Sequence, residues 1–251
     1  MSTDTTSDDT LIFSDVHLRV TEPGRTREFA AFLRAIDTHQ FRRVICLGDL
    51  FDFWFEYRHV IFSDYFEVLR AFAELRDAGV ALHLICGNHD FWAGRFLRES
   101  LGFHIHLETE LPFGDKRARL VHGDGINPND WKYRFYKRIA RNPFVVWAFR
   151  QLHPDWAMAL ARAVSHGSRT LYKVVDPANG PEAQSLREYA CGVLARGEAD
   201  IVICGHAHAA TLEEHPTPGG TGLYLNPGDW LENRAFAVWD GESFRLRQGM
   251  P

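Results

Sequence analysis

Val44-Ile45-Cys46-Leu47-Gly48-Asp49-Leu50-Phe51-Asp52 holds the key to the chain. Four apolar residues end abruptly at Gly48, and a carboxylate follows at once. A short apolar run closed by glycine reads as a buried strand, and open α/β sheets place their chemistry at the C-terminal ends of such strands. Four other runs end in the same way. They are Ile12-Phe13-Ser14-Asp15-Val16-His17, Leu84-Ile85-Cys86-Gly87-Asn88-His89-Asp90, Leu120-Val121-His122-Gly123-Asp124 and Val202-Ile203-Cys204-Gly205-His206-Ala207-His208. Packing alone does not account for five apolar runs that each finish in Asp, Asn or His.

The segments between these runs carry helical spacing. Thr26 to Thr38 places Phe29, Phe32, Leu33 and Ile36 on one face, and Asp64 to Asp77 turns Phe66, Leu69, Ala73 and Leu75 inward before Gly79 stops it. A short helix is expected over Gly94 to Ser100, and a long one over Glu182 to Arg196, between Pro181 and Gly197. Strand and helix in alternation predict an α/β fold with parallel pairing. Trp131 to Val175 breaks the alternation and reads as several short helices, interrupted at Asn142-Pro143 and His153-Pro154. From Thr211 onward the pattern is short strands with turns at Gly219-Gly220, Pro227-Gly228 and Asp240-Gly241. The organisation predicted is a disordered tail over 1–10 and one domain over 11–251, with a helical lid inserted at about 129–178.

Composition narrows the functional classes. The chain has 251 residues and a net charge of −5, which does not indicate a general nucleic-acid binder. Its four cysteines form no Cys-x-x-Cys pair. Cys46, Cys86 and Cys204 sit in strand runs and Cys191 in a helix, so buried free thiols in a reducing cytosol are expected. The first ten residues have no basic or apolar segment, so no signal peptide is expected. No apolar run approaches the roughly 18 residues of a membrane span.

Taken singly, the terminal motifs are weak. Asp15-x-His17 or Gly48-Asp49 occurs often on polar loops, and a lone His122 is more often a satisfied side chain than a ligand. Gly87-Asn88-His89-Asp90 is more specific, and Gly205-His206-x-His208 brings two imidazoles to one strand end. Together, the carboxylates, imidazoles and an Asn amide suit a pair of divalent ions of the Mn, Fe or Zn type, since Mg or Ca sites rarely recruit so many histidines. His104-x-His106 lies on one strand face beside no carboxylate and is read as structural or exposed, as are His39, His59, His83, His153, His166 and His215.

The order of these five motifs resembles that of the calcineurin-like metallophosphoesterases. The resemblance implies two packed mixed β-sheets flanked by helices, with a two-metal site at the strand ends. It implies that Asp15, His17 and His208 hold one metal, that Asn88, His122 and His206 hold the other, and that Asp49 bridges them. Two cations about 3.5–4 Å apart activate a water and neutralise phosphate oxygens. Asp49 and His89 are then the catalytic candidates, with His89 placed to stabilise the developing charge or protonate the leaving oxygen.

The segment from Trp131 to Val175 bears on the substrate. It holds nine basic residues against the single acid Asp155, and nine aromatics. In its first helix Trp131, Phe135 and Ile139 share one side, and Arg134, Arg138 and Arg141 another, the make-up of a helix lying on an anionic membrane. An ordinary solvated face is the plain alternative, and single-stranded nucleic acid also uses basic and aromatic residues together.

Beyond the metal motifs, Gly48-Asp49-Leu50-Phe51-Asp52-Phe53-Trp54, Asn88-His89-Asp90-Phe91 with Gly94 and Arg95, and His122-Gly123-Asp124 with Asp130 and Tyr133 downstream resemble the UDP-2,3-diacylglucosamine diphosphatases of lipid A synthesis. That narrower resemblance implies hydrolysis of the diphosphate of a nucleotide-linked diacyl sugar to UMP and 2,3-diacylglucosamine 1-phosphate. It further implies Mn as the metal (Fe and Zn being the alternatives) and a cytoplasmic, peripheral position on the inner face of the cytoplasmic membrane. Asp130, Tyr133, Arg134, Lys137, Arg138 and Arg169 become substrate-contact candidates. No nucleic acid and no obligate protein partner are expected. The competing readings are a phosphodiesterase or phosphatase for a cyclic nucleotide, a dinucleotide or a phosphoprotein, and a non-catalytic interaction module on the same fold.

Overall fold

The computed structural model describes residues 9–160 and 179–251. Its centre is two β-sheets packed face to face. The first has six strands in the order β11-β10-β1-β2-β3-β4 and the second five in the order β5-β6-β7-β9-β8. The strands are β1 (Asp9–Phe13), β2 (Phe41–Cys46), β3 (Ala81–Ile85), β4 (Phe103–His106), β5 (Glu108–Phe113), β6 (Lys116–Val121), β7 (Ile201–Cys204), β8 (Thr211–Thr217), β9 (Gly220–Asn226), β10 (Ala235–Trp239) and β11 (Phe244–Gln248). β1 to β4 pair in parallel, as do β6, β7 and β9, while β10, β11, β5 and β8 add antiparallel edges. The sheets are therefore mixed.

Period-two alternation sorts the core into layers. Ile12, Ile45 and Ile85 face inward and meet Phe113, Leu120, Ile203 and Leu225 of the second sheet. Their neighbours Leu11, Phe13, Val44, Cys46, Leu82 and Leu84 face outward. There they pack against helices α1 (Pro23–Arg34) and α2 (Phe66–Asp77), through Phe29, Phe32 and Phe72. The second sheet is covered by Leu186, Ala190, Val193 and Leu194, which belong to the helix over Pro181–Ala195. Burial on both faces is why the parallel strands read as continuous apolar runs.

Several sequence expectations shift. β1 begins at Asp9, and both Asp9 and Thr10 are buried strand residues, so the expected tail does not reach residue 10; residues 1–8 lie outside the described set. Phe66, expected inward, is exposed, because it opens α2 after a 3₁₀ turn (Ser63–Tyr65) and the buried stripe falls on Val68, Leu69, Ala71, Phe72 and Leu75. β5 was not legible as a strand, since its outward positions are Glu108, Glu110 and Pro112 on a solvated hairpin edge. Cys46, Cys86 and Cys204 are buried as expected, whereas Cys191 is partly exposed.

The inserted segment begins with α3 (Trp131–Ala140) and α4 (Pro143–Phe149), each capped by a side chain, Asp130 accepting from the Tyr133 N–H and Asn142 from the Phe144 N–H. A further helix runs from 154 to the end of the described stretch at 160. In chain order the helix over Pro181–Ala195 is α5. Phe149 stacks against Phe53, Phe55 and Trp92, and the Trp92 indole donates to the Ala140 carbonyl at 3.1 Å. The insertion is thus seated on the aromatic patch that follows β2.

Candidate metal centre

Strand pairing continues past the strand ends and sets the site. Asp15 N donates to the Gly48 carbonyl, His17 N to that of Asp49, and Leu18 N to that of Leu50, at 2.9–3.1 Å. The loops after β1 and β2 therefore run side by side. Asp15, His17, Asp49, His206 and His208 all have positive φ, between 47° and 64°. Non-glycine residues held there cost on the order of 1–3 kcal/mol each, and such strain concentrates at functional sites. Gly205 makes room for this crowding, because a Cβ at that position would meet the Ser14 hydroxyl.

The two central carboxylates are arranged alike. Asp49 Oδ1 accepts the His89 backbone N–H at 2.9 Å, which leaves Oδ2 facing three imidazoles: His122 Nε2 at 3.5 Å, His17 Nε2 at 3.7 Å and His89 Nε2 at 3.9 Å. Asp15 Oδ2 accepts from the Ser14 hydroxyl at 2.5 Å and the His206 N–H at 2.9 Å. Its Oδ1 is buried without a hydrogen-bond partner and faces His208 Nε2 at 3.5 Å and His17 Nε2 at 3.8 Å. Each carboxylate has one oxygen tied down by backbone and one aimed at ring nitrogens that stand too far off for hydrogen bonds.

The histidine tautomers sharpen this. His122 Nδ1 lies 2.6 Å from the Leu47 carbonyl and donates to it, so Nε2 is the nitrogen turned toward Asp49 Oδ2 and toward Asn88 Oδ1, the latter at 3.3 Å. His89 Nδ1 donates in the same way to the Asp52 carbonyl at 2.7 Å. Lone pairs and carboxylate oxygens converging in a buried space repel one another unless positive charge lies between them. The titration behaviour shows how strongly these oxygens draw positive charge. Burial pushes His122 down, but the Asp49 carboxylate outweighs it and carries the ring up to about 10. Burial opposes ionisation of Asp49, and the His122, His89 and His17 rings reverse that and hold it well below the usual carboxylate range. His17 and His206 are pushed down, chiefly by burial. Three groupings offer converging donor atoms: Asp15, His17 and His208; Asp49, His122 and His206; and His17, Asp49 and His89. This donor set fits divalent metal ions.

All seven expected metal ligands and His89 thus come to one end of the sandwich. The substrate-contact candidates fare differently. Asp130 caps α3. The Tyr133 hydroxyl donates to Asp124 Oδ2 at 2.6 Å, and Lys137 Nζ reaches the same oxygen at 2.6 Å and the Asp124 carbonyl at 3.0 Å. Those two groups anchor α3 to the loop that carries His122. Arg134 and Arg138 are exposed, and Arg169 lies outside the described residues. His104 and His106 stay away from the site, their rings stacked with His83 at 4.9 and 5.8 Å.

Other residues that build the centre were missed in the sequence. Asp90 is buried and accepts from Leu50 N at 2.9 Å and Gly87 N at 2.8 Å, stitching the Asp49 loop to the Asn88 loop. Asn226 donates to the Gly205 carbonyl at 2.9 Å, and Leu231 N donates to the Asp15 carbonyl, so the turn after β9 braces two ligand loops. Pro227-Gly228 had read only as a turn, and Asn226 before it had drawn no reading. The carboxylate nearest His17 Nδ1 is that of Asp52, at 3.9 Å.

The chain is similar to known proteins. The chain is 34% identical over 244 residues to a UDP-2,3-diacylglucosamine hydrolase of Porphyromonas gingivalis, covering 88% of each chain. It is 28% identical over 248 residues to a protein of that name from Edwardsiella ictaluri, covering 94% and 90%. Among solved structures it is similar to an archaeal phosphodiesterase, at 17% identity and a TM-score of 0.47 over 95% and 98% of the two chains. The model of the calcineurin-like phosphoesterases matches residues 9–210, and the chain belongs to that family.

Proposed function

We propose that the protein is a dimetal hydrolase that cleaves the diphosphate of a nucleotide-linked, acylated sugar, UDP-2,3-diacylglucosamine, to UMP and 2,3-diacylglucosamine 1-phosphate. The observation that carries the reading is the pair of half-satisfied carboxylates, Asp15 and Asp49, facing five histidines at a strand-end site. The substrate follows from the relatives named above and from the insertion beside the site.

Asp15, His17 and His208 would hold one ion and Asn88, His122 and His206 the other, with Asp49 between them and Mn the preferred metal over Fe or Zn. Such ions supply an activated water and neutralise the phosphate oxygens. Asp49 keeps its oxygen turned into the site because its other oxygen is fixed by the His89 N–H. His89 is the proton donor to the leaving oxygen. Its Nδ1 is committed to the Asp52 carbonyl, so Nε2 is the nitrogen left to face the site, and although burial lowers the pKa of the ring, Asp49 and Asp52 outweigh that and raise it. Phe53 and Trp92, partly exposed and packed against Phe149 of α4, offer apolar walls.

The insertion supports a membrane-surface position. Phe135, Phe144, Trp147 and Trp156 are exposed, by 62%, 70%, 57% and 72%, close in sequence to Arg134 and Arg138. Large exposed aromatics beside cations suit the interfacial zone of an anionic bilayer. No helix among the described residues is long and apolar enough to cross a membrane.

The test is product analysis with purified protein and Mn, using UDP-2,3-diacylglucosamine beside UDP-N-acetylglucosamine and an aryl phosphodiester. UMP released only from the acylated compound is the expected result. Cleavage of the aryl diester alone would leave the metal site standing and remove the substrate assignment.

A further inference from the structure

Away from the strand-end site, a second constellation of reactive side chains lies between α5 and β8. Cys191 on α5 places its sulfur 3.4 Å from Nδ1 of His215 on β8. His215 Nε2 stands 3.4 Å from Glu213 Oε2. Arg187, one turn before Cys191, clamps the same carboxylate through Nε and Nη2 at 2.9–3.1 Å. That clamp is the first cause of a pKa for Glu213 below the usual carboxylate range, so it favours the ionised carboxylate. An ionised Glu213 holds the Nε2–H tautomer of His215, which turns the Nδ1 lone pair onto the Cys191 thiol. The order thiol, imidazole, carboxylate, guanidinium is that of a nucleophile with an oriented base.

The surroundings admit a reagent. Cys191 is partly exposed and lines a cavity of about 560 Å³ with Asn179, Gln184, Arg187 and Glu188. The other three cysteines are closed off. Cys46, Cys86 and Cys204 are buried, and burial pushes each of their thiols well up. Nothing in the metal chemistry uses Cys191 or His215.

We propose that Cys191 is a modification site, a thiol activated by His215 that exchanges with low-molecular-weight disulfides. As the sulfur attacks, the thiol proton passes to His215 Nδ1. A new bond forms from Cys191 Sγ to one sulfur of the reagent, the reagent's S–S bond breaks, and its other half leaves as a thiolate. The imidazolium left behind is paired with Glu213. No electron donor or acceptor beyond the disulfide is needed.

The experiment is the reaction of the reduced, folded full-length chain with 5,5′-dithiobis(2-nitrobenzoate), followed by release of the coloured thiolate and by peptide mapping of the adduct. One thiol per chain should react in a fast phase and map to Cys191, with the others at least ~10-fold slower. Cys191→Ser should abolish the fast phase, and His215→Gln should slow it about 10-fold near neutral pH, the usual contribution of a positioned base being at least that large. In denaturant the His215→Gln and parent chains should react alike, which separates the fold-dependent base from an intrinsic change. A fast phase that is absent, that maps to another cysteine, or that keeps its rate in a folded His215→Gln chain overturns the proposal. Should His215→Gln not fold, the mapping in the parent chain decides.

Discussion

Asp90→Ala isolates the part of the site that exists only in three dimensions. The Asp90 carboxylate has one partner near it in sequence and one 40 positions away. It accepts from Leu50 N and Gly87 N, at 2.9 and 2.8 Å, and so ties the loop carrying Asp49 to the loop carrying Asn88 and His89. Burial and the nearby Asp49 push its pKa up to about 6, so at pH 8 it is ionised and both bonds are charge-assisted. Each such bond contributes about 1.5–3 kcal/mol, and removing the acceptor leaves two buried N–H groups unpaired. The cost of holding a charge in a fully buried place offsets part of that, and a net loss of about 3 kcal/mol is expected. For a chain of this length that corresponds to a fall in Tm of about 6–12 °C. Thermal unfolding at pH 8 in chelator measures it without metal. Calorimetric titration with Mn should show binding weakened by 10–100-fold, the usual effect of losing a group that orients ligands. A Tm lowered by less than about 2 °C, or Mn binding unchanged in a destabilised chain, would refute the stitching role.

Three other perturbations probe separate parts of the molecule. His122→Ala should halve the bound metal measured by elemental analysis and lower turnover of an aryl phosphodiester by at least ~1,000-fold, a full complement of metal being the contrary outcome. Substituting Arg134 and Arg138 together by Ala, both exposed, should reduce sedimentation with anionic vesicles and raise KM, with metal content and kcat on a water-soluble diester unchanged. His83, pushed down to about 4 by burial and by the neighbouring His104, Arg43 and His106, is neutral in the folded chain at pH values where the unfolded ring (6.5) already takes up a proton. Its contribution to stability is therefore complete above pH 6.5 and is lost as pH falls toward 4. With discounting for the third of the group that meets solvent, about 1–2 kcal/mol is at stake. His83→Gln should flatten that part of the stability curve, measured by denaturant unfolding as the difference from the parent chain.

Much of the metal centre was legible because its residues sit at the ends of apolar strands, where local spacing and strand periodicity report on them directly. Asp15, His17, Asp49, Asn88, His89, His122, His206 and His208 each follow a short buried run, and parallel strands in register deliver those ends to one rim. The groups that support the ligands were not legible. The bracing roles of Asp90 and Asn226 emerge only when the chain folds, because Leu50 N and the Gly205 carbonyl are backbone partners 40 and 21 positions away. Tyr133 and Lys137 show the converse, since they read as free to meet a substrate and are instead joined to Asp124.

The sequence by itself determined which side chains are candidates for the site, since strands alternating with helices favour parallel pairing, and parallel pairing brings the strand ends to one rim. It also determined the aromatic and basic character of the insertion. Only the tertiary structure decided which carboxylate oxygen faces the imidazoles, which ring nitrogen is committed to a carbonyl, and that Cys191 meets His215. Those outcomes depend on hydrogen bonds between segments remote in sequence, and on backbone held at positive φ by its neighbours, neither of which leaves a periodic trace along the chain.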